Sequence, residues 1–524
     1  MIPNIEGKLL FTLIMSVLLS CVAAWIIVGR YRRRMQQLMR EPHTGVLAAA
    51  VVEAAATTSA PLPVSLADNR AAGMRLTLLL IASSCLLAGT SAWIFCLLQF
   101  PDDPLMLWRV VPIALLHLWP VIPALALMWR WSRKRLFGTL LLWCGATFIV
   151  LFVIGLWRQI EMGPLLLLKI MASEMGLSLP LMLLVFLGNA TRAIAPWLLM
   201  PIAMLVSSLL AGLDILTYMA DHESPLLKSL IAPLEGLPGW SGVFVVFALF
   251  LLVSWIIAWW PARVLGRALG HTYSRKWFSD LLVVFTGVWG FALTDRTLTL
   301  STTAGAGALV MYLPLLWIPV VTMLAGRRRR RPGRAPTLLV LRVFQQDAQA
   351  QSLFDDVIER WRLSGNTVLI AGTDLADRTL DADDIFQFLD RRLAERFVAS
   401  PADVPRRIAA FDMAPDIDGR YRINECYCHD TTWQDMLQAL VRDSDVVLMD
   451  LRGFQAHNAG CRYELTTLAQ ASRELRVVVL TDGRTDRAAA QGAIAPGRQD
   501  RFTWIEASHF KPSTHREVLT HLFA

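Results

Sequence analysis

Charge is scarce in this chain. Asp, Glu, Lys and Arg together make up 18% of 524 residues, while 55% are hydrophobic. A soluble globular protein carries about a quarter charged residues, so a wholly soluble fold is excluded and much of the chain belongs in lipid. Glycine-rich phosphate cradles are missing as well. Neither G-x-G-x-x-G nor G-x-x-x-x-G-K-[ST] occurs from residue 337 to the end, which argues against an ATPase or a dinucleotide dehydrogenase built on those loops. The seven cysteines include no C-x-x-C pair, so no disulfide framework is expected. Cys21, Cys85, Cys96 and Cys144 lie in apolar runs and read as small core residues. Cys426, Cys428 and Cys461 lie in the polar region, where reduced thiols fit a cytoplasmic setting.

The net charge of +8 is unevenly spread. From Pro336 onward there are 22 Lys and Arg against 28 Asp and Glu, so the basic excess lies entirely before that point. Basic residues flanking apolar runs set membrane topology, and no nucleic-acid partner is implied. Nine apolar runs are present, at residues 10–28, 76–100, 105–129, 138–157, 165–187, 195–216, 241–260, 278–293 and 306–325. The first, as a helix, is about 28 Å long, enough to cross the hydrocarbon. Its basic cluster "RYRRR" follows rather than precedes it, which is the reverse of a signal peptide.

Nine crossings from an outside amino end put "RYRRR", "RWSRKR", "PARVLGRALGHTYSRK" and "RRRRRPGR" all on the cytoplasmic side. The turn at residues 188–196 carries only Arg192 and is the weakest point of this count. The expectation is a transmembrane domain over residues 1–330, with a cytoplasmic loop at 29–75. An α/β domain over 337–524 follows the arginine run. A multi-pass protein of a bacterial inner membrane fits this pattern, with the lipid bilayer as its first partner and the C-terminal domain in the cytoplasm.

From residue 337 the pattern alternates between short apolar strands and helical spacing. Strands are predicted at 337–344, 367–372, 445–451, 476–482 and 502–507, with shorter ones in "RIAAFDM" and "RYRINECYC". Helices are predicted at 383–398, at "TTWQDMLQALVRD" and from about Asn458. Strands apolar on both faces, separated by helices, predict a mainly parallel, flavodoxin-like sheet covered on both sides.

In such a sheet ligands bind beyond the carboxyl ends of the strands. Gln345, Gln346 and Asp347 follow the first predicted strand; Gly372, Thr373 and Asp374 follow the second; Asp450, Arg452 and Gly453 follow the third. Glu464 lies six residues past Asn458, beyond the first helical turn, and its stripe neighbours Cys461, Leu468 and Ala471 are apolar. Two readings stand: a surface glutamate paired with Arg462 or Arg473, or a partly desolvated carboxylate facing a ligand.

The segment "SDVVLMDLRGFQAHNAGCRYEL" resembles its counterpart in nucleoside 2-deoxyribosyltransferases and Toll/interleukin-1 receptor (TIR)-like domains. In the former, a strand ending in Asp leads through a loop to a Gly-Thr-x-x-Glu helix start. The matching run is Gly460-Cys461-Arg462-Tyr463-Glu464, with Cys461 where the family has Thr. The stretch "LFDDVIERWRLSGNTVLIAGTD" is similar to the family's first helix, glycine stop and second strand.

The resemblance implies cleavage of an N-glycosidic bond in a nucleotide such as NAD. Glu464 would be the catalytic carboxylate, Asp450 would bind a ribose hydroxyl and Arg452 a phosphate, with Gly453, Gly460 and Asp374 lining the site. It also implies activation by self-association, hence a membrane signalling or defence protein. The rival classes are a transporter or channel whose soluble domain senses a ligand, and a non-catalytic adaptor.

No cofactor or metal is called for. "CYCHD", with one residue between Cys426 and Cys428, is poorly spaced for structural zinc and reads as strand core followed by a helix cap. In the membrane half, Arg109, His117, Lys169, Glu174 and Asp214 lie in or beside apolar runs. They read either as an ion or proton path or as buried hydrogen bonding.

Overall fold

The computed structural model describes residues 5–524 except 41–59, 105, 130, 160–162, 177, 187, 235–237, 239, 327–332, 343–352, 372–381, 390, 391, 430, 473, 509 and 510. The chain forms two compact units. One comprises residues 1–27, 83–275 and 280–318; the other comprises residues 28–82, 276–279 and 319–524. The second unit therefore does not begin after the arginine run but also takes in two earlier segments.

The first unit is helical. Eight stretches of the described chain are long and apolar enough to cross a bilayer, the architecture of a multi-pass membrane protein. Its apolar side chains face outward, with Leu165 81% and Leu141 75% exposed, as lipid contact requires. Several of the eight are broken. The stretch Leu107–Met128 splits into Leu107–His117 and Val121–Met128, because Pro120 lacks the N–H that would continue the ladder. Pro164–Phe186 splits at Gly176, whose φ of +29° few side chains tolerate; a Cβ there would lie 2.6 Å from an Asp295 carboxylate oxygen.

The eighth stretch, Asp280–Leu324, holds two of the predicted apolar runs. Its helix Asp280–Ala304 ends at Gly305, and the next segment folds back on it. Thr294 and Tyr312, eighteen residues apart, share a 2.7 Å hydroxyl contact, and Leu293, Leu300, Ala308 and Met311 form one apolar cluster. A straight helix would separate Thr294 from Tyr312 by about 27 Å.

The second unit is an α/β domain around a seven-stranded sheet. The strands are β1 Thr337–Arg342, β2 Asn366–Ala371, β3 Phe397–Val398, β4 Ile423–Cys428, β5 Val446–Asp450, β6 Arg476–Thr481 and β7 Phe502–Glu506. Their order is β3-β4-β2-β1-β5-β6-β7, and every pairing is parallel. This lateral order is not the flavodoxin-like one. Without the two-residue edge strand β3 it is the 3-2-1-4-5-6 order of doubly wound dinucleotide-binding sheets. Apolar runs reveal strands, but nothing in their spacing reveals which strand lies beside which.

Side chains alternate across the strands. Leu339, Leu341, Val447, Met449, Val477 and Val479 join one core cluster with the helices Trp433–Asp443 and Ala459–Gln470. The helix Pro512–Leu522 packs against β6, β7 and the helical turn at Phe354–Ile358. Fully burying each such aliphatic side chain contributes about 1.5–3 kcal/mol.

Three local expectations are corrected. "RIAAFDM" is not a strand; residues through Ala409 belong to the helix Val404–Ala409, opened by Pro405 in its first turn. The predicted helix 383–398 stops at Leu389 among the described residues, and Phe397–Val398 is strand. The predicted loop 29–75 is also largely helical where it is described. Ile5–Arg40 is one helix, and Leu66–Gln99 begins ten residues earlier than its apolar run. Tyr31, Met35 and Leu38 explain the first extension, since they recur on one helical face and are all buried. Within the α/β unit the Tyr31 hydroxyl meets that of Tyr427 at 3.1 Å, and Asn69 donates to the Arg360 carbonyl at 2.7 Å.

Candidate active site

The two directions of winding part between β1 and β5, where Arg342 pairs with Asp450. The crevice at such a switch point, beyond the carboxyl ends, is where doubly wound sheets bind ligands. β5 ends in Asp450, the loop 451–458 follows, and the helix Ala459–Gln470 starts after Asn458. Asn458 does not cap that helix with its side chain; its Oδ1 accepts from the Gln455 N–H at 2.7 Å and closes the loop instead.

Asp450 and Arg452 are bound to each other. Arg452 Nε donates to Asp450 Oδ1 at 2.8 Å and Nη2 to Oδ2 at 2.6 Å, with both side chains buried. This bidentate pair neutralises the end of β5. Gly453 has φ +74°, and its N–H donates to Asp482 Oδ1 at 2.8 Å. Asp482, just past β6, also accepts from Arg484 and Thr485. Burial alone would raise its pKa, but these donors outweigh burial and hold it below the usual value. Sequence reasoning missed Asp482; the signal was the second strand-Asp-Gly ending, "VVVLTDG".

Glu464 is buried, 9% exposed, on the same helical face as Cys461, Leu465 and Leu468. The bland alternative required an exposed carboxylate paired with Arg462 or Arg473. Arg473 lies outside the described residues, and Arg462 itself is exposed. Oε2 of Glu464 is buried with no hydrogen-bond partner among the described residues. Burial lifts the Glu464 pKa from an ordinary 4.5 to about 8.

The Cys461 thiol lies within electrostatic reach of both acids. Burial first, then the charges of Glu464 and Asp450, push its pKa up to about 12, so it is neither a thiolate nucleophile nor a ready metal ligand. A Cβ on Gly460 would meet no heavy atom within 4 Å among the described residues, so that side of the helix start is open. Asp374, Gln345, Gln346 and Asp347 lie outside the described residues.

Cys461 thus stands between the Asp450–Arg452 pair beside the β1–β5 switch point and Glu464 further along the helix. Gly453 shapes the loop through its positive φ and its N–H bond to Asp482. In "CYCHD", Cys426 and Cys428 are buried in β4 and the Cys426 thiol donates to the Leu369 carbonyl at 3.2 Å, while Thr432 Oγ1 accepts from the His429 N–H. Comparison with protein-family models, with curated proteins and with solved structures returns no match.

Proposed function

We propose that this chain is a multi-pass protein of a bacterial inner membrane whose α/β unit, in the cytoplasm, binds a nucleotide and cleaves its N-glycosidic bond with Glu464. The observation that carries the reading is an unpartnered, buried carboxyl beside the switch point of a parallel sheet. A carboxyl kept neutral by burial is expensive to ionise until a cation arrives. A nicotinamide ribosyl group brings that cation. Its arrival releases the Glu464 proton, and the carboxylate then faces the sugar carbon.

As the C1′–N bond breaks, its electron pair goes to the ring nitrogen and neutral nicotinamide leaves. The oxocarbenium charge is held by Glu464 until water adds to C1′ and gives up a proton. The Asp450–Arg452 pair fixes the floor of the site. Membership of residues 28–82, 276–279 and 319–524 in one unit supports placing the neighbouring basic clusters on one membrane face. Self-association of the full chain is the proposed trigger, in signalling or defence.

The test is release of nicotinamide from NAD, and of base from 2′-deoxynucleosides, by the full-length chain in nanodiscs at rising protein density. Release should fall at least a hundredfold in Glu464→Gln. No release by the wild-type chain, or undiminished release by the variant, removes the catalytic assignment.

A further inference from the structure

The membrane unit buries a second polar cluster where two broken helices end. His117, fully buried, closes the helix Leu107–His117, and Glu174 lies one residue before the end of Pro164–Met175. Arg296, 4% exposed on the helix Asp280–Ala304, reaches both. Its Nη2 donates to the His117 carbonyl at 3.2 Å, and its Nε lies 3.5 Å from Glu174 Oε2. A guanidinium against a helix carboxyl end satisfies an orphan carbonyl and the dipole together.

The hydrogen bonds of Ser91 bear on the His117 tautomer. Ser91 Oγ lies 3.0 Å from the Ala88 carbonyl and 2.8 Å from His117 Nδ1; with the hydroxyl proton on the carbonyl, its lone pair accepts from Nδ1–H. In the neutral ring Nε2 then carries the lone pair. Nε2 is buried without a hydrogen-bond partner among the described residues and points at Glu174 Oε2, 3.9 Å away. Two acceptors facing each other lack only a proton. Asp295, which packs against Gly176, is the other charged group at the cluster; Lys169, on the Glu174 helix, is exposed, and Arg109, on the His117 helix, pairs with Asp103.

We propose that His117 and Glu174 form a proton-binding site inside the membrane unit, with Arg296 as its fixed counter-charge. On uptake the proton bonds to Nε2, and the imidazolium attracts Glu174 away from Arg296 Nε. Protonation thereby biases the broken helix that carries Glu174. Discontinuous helices around a midplane charge are how transporters build ion sites, and this chemistry is independent of Glu464.

The full chain, labelled with ¹⁵N in its histidine rings and held in nanodiscs, is titrated from pH 5 to 9 by NMR, with the His117 signal assigned by its loss in His117→Gln. Nε2 should pass from unprotonated to protonated within that range. Glu174→Gln should weaken proton affinity at least tenfold. Should that variant fail to fold, Glu174→Asp, which withdraws the carboxylate from Nε2, should show a smaller displacement of the same sign. A His117 ring that keeps one form throughout in the wild-type chain, or a midpoint unmoved by either Glu174 variant, overturns the proposal.

Discussion

The two units treat a glutamate in opposite ways, Glu174 half-buried in one and Glu464 buried in the other. In the membrane unit Glu174 has Arg296 and His117 beside it, and the guanidinium is tied to a helix end. In the α/β unit Glu464 is buried, and its Oε2 has no hydrogen-bond partner among the described residues. A few residues away Asp450 is treated like Glu174, with its own arginine. Pairing keeps a carboxylate charged where hydrocarbon would otherwise forbid it, and serves structure or proton exchange. Leaving one unpaired keeps it neutral, which destabilises the fold at neutral pH and is retained where a ligand can use the charge. The difference separates the scaffold acids from the acid proposed for chemistry.

Breaking the paired side of the comparison has the largest expected effect. Arg296→Met strands Glu174 and Asp295 without their guanidinium. Leaving a buried ion uncompensated costs about 3–5 kcal/mol, so the full chain in detergent should unfold at a clearly lower temperature or lose its monodisperse fraction. An unchanged unfolding midpoint would mean that the cluster is wetter than its burial suggests.

The unpaired side should respond with the opposite sign and more weakly. A carboxyl whose pKa rises on folding from 4.5 to about 8 costs nothing below pH 4.5. The stability it shows there is lost progressively as pH climbs through 8. Glu464→Gln removes that loss and should stabilise the α/β unit by up to about 4 kcal/mol at pH 8 and by little at pH 4.5. Denaturant unfolding of the full chain at the two pH values, followed by tryptophan fluorescence, reads the difference. Destabilisation at both would place Glu464 among the structural acids.

Much of this was legible in the sequence, for reasons that particular residues make plain. "VVLMD" and "RVVVLT" are apolar on both faces and could only be buried parallel strands, and they are. The Cys461–Glu464–Leu468 stripe followed from helical spacing, and its burial follows from the same spacing. What escaped was whatever depends on distant contacts. Strand order is set by crossover packing, not by any one strand. The helical extension through Tyr31, Met35 and Leu38 was written in its i, i+4, i+7 spacing but hidden by the arginines between. Arg296 lies between the predicted apolar runs 278–293 and 306–325, and the helix carries past it to Ala304. The Asp450–Arg452 clamp, two residues apart, reads equally well as a ligand site until its geometry is seen.

The central claim is that Glu464 is a neutral acid at the mouth of a parallel sheet. Its most direct test is the carboxyl ¹³C resonance of Glu464 in the full chain in nanodiscs, identified by its disappearance in Glu464→Gln and followed with pH. The account predicts a titration midpoint near 8 that falls when a cationic nucleotide binds. A midpoint near 4.5, unmoved by nucleotide, would contradict it.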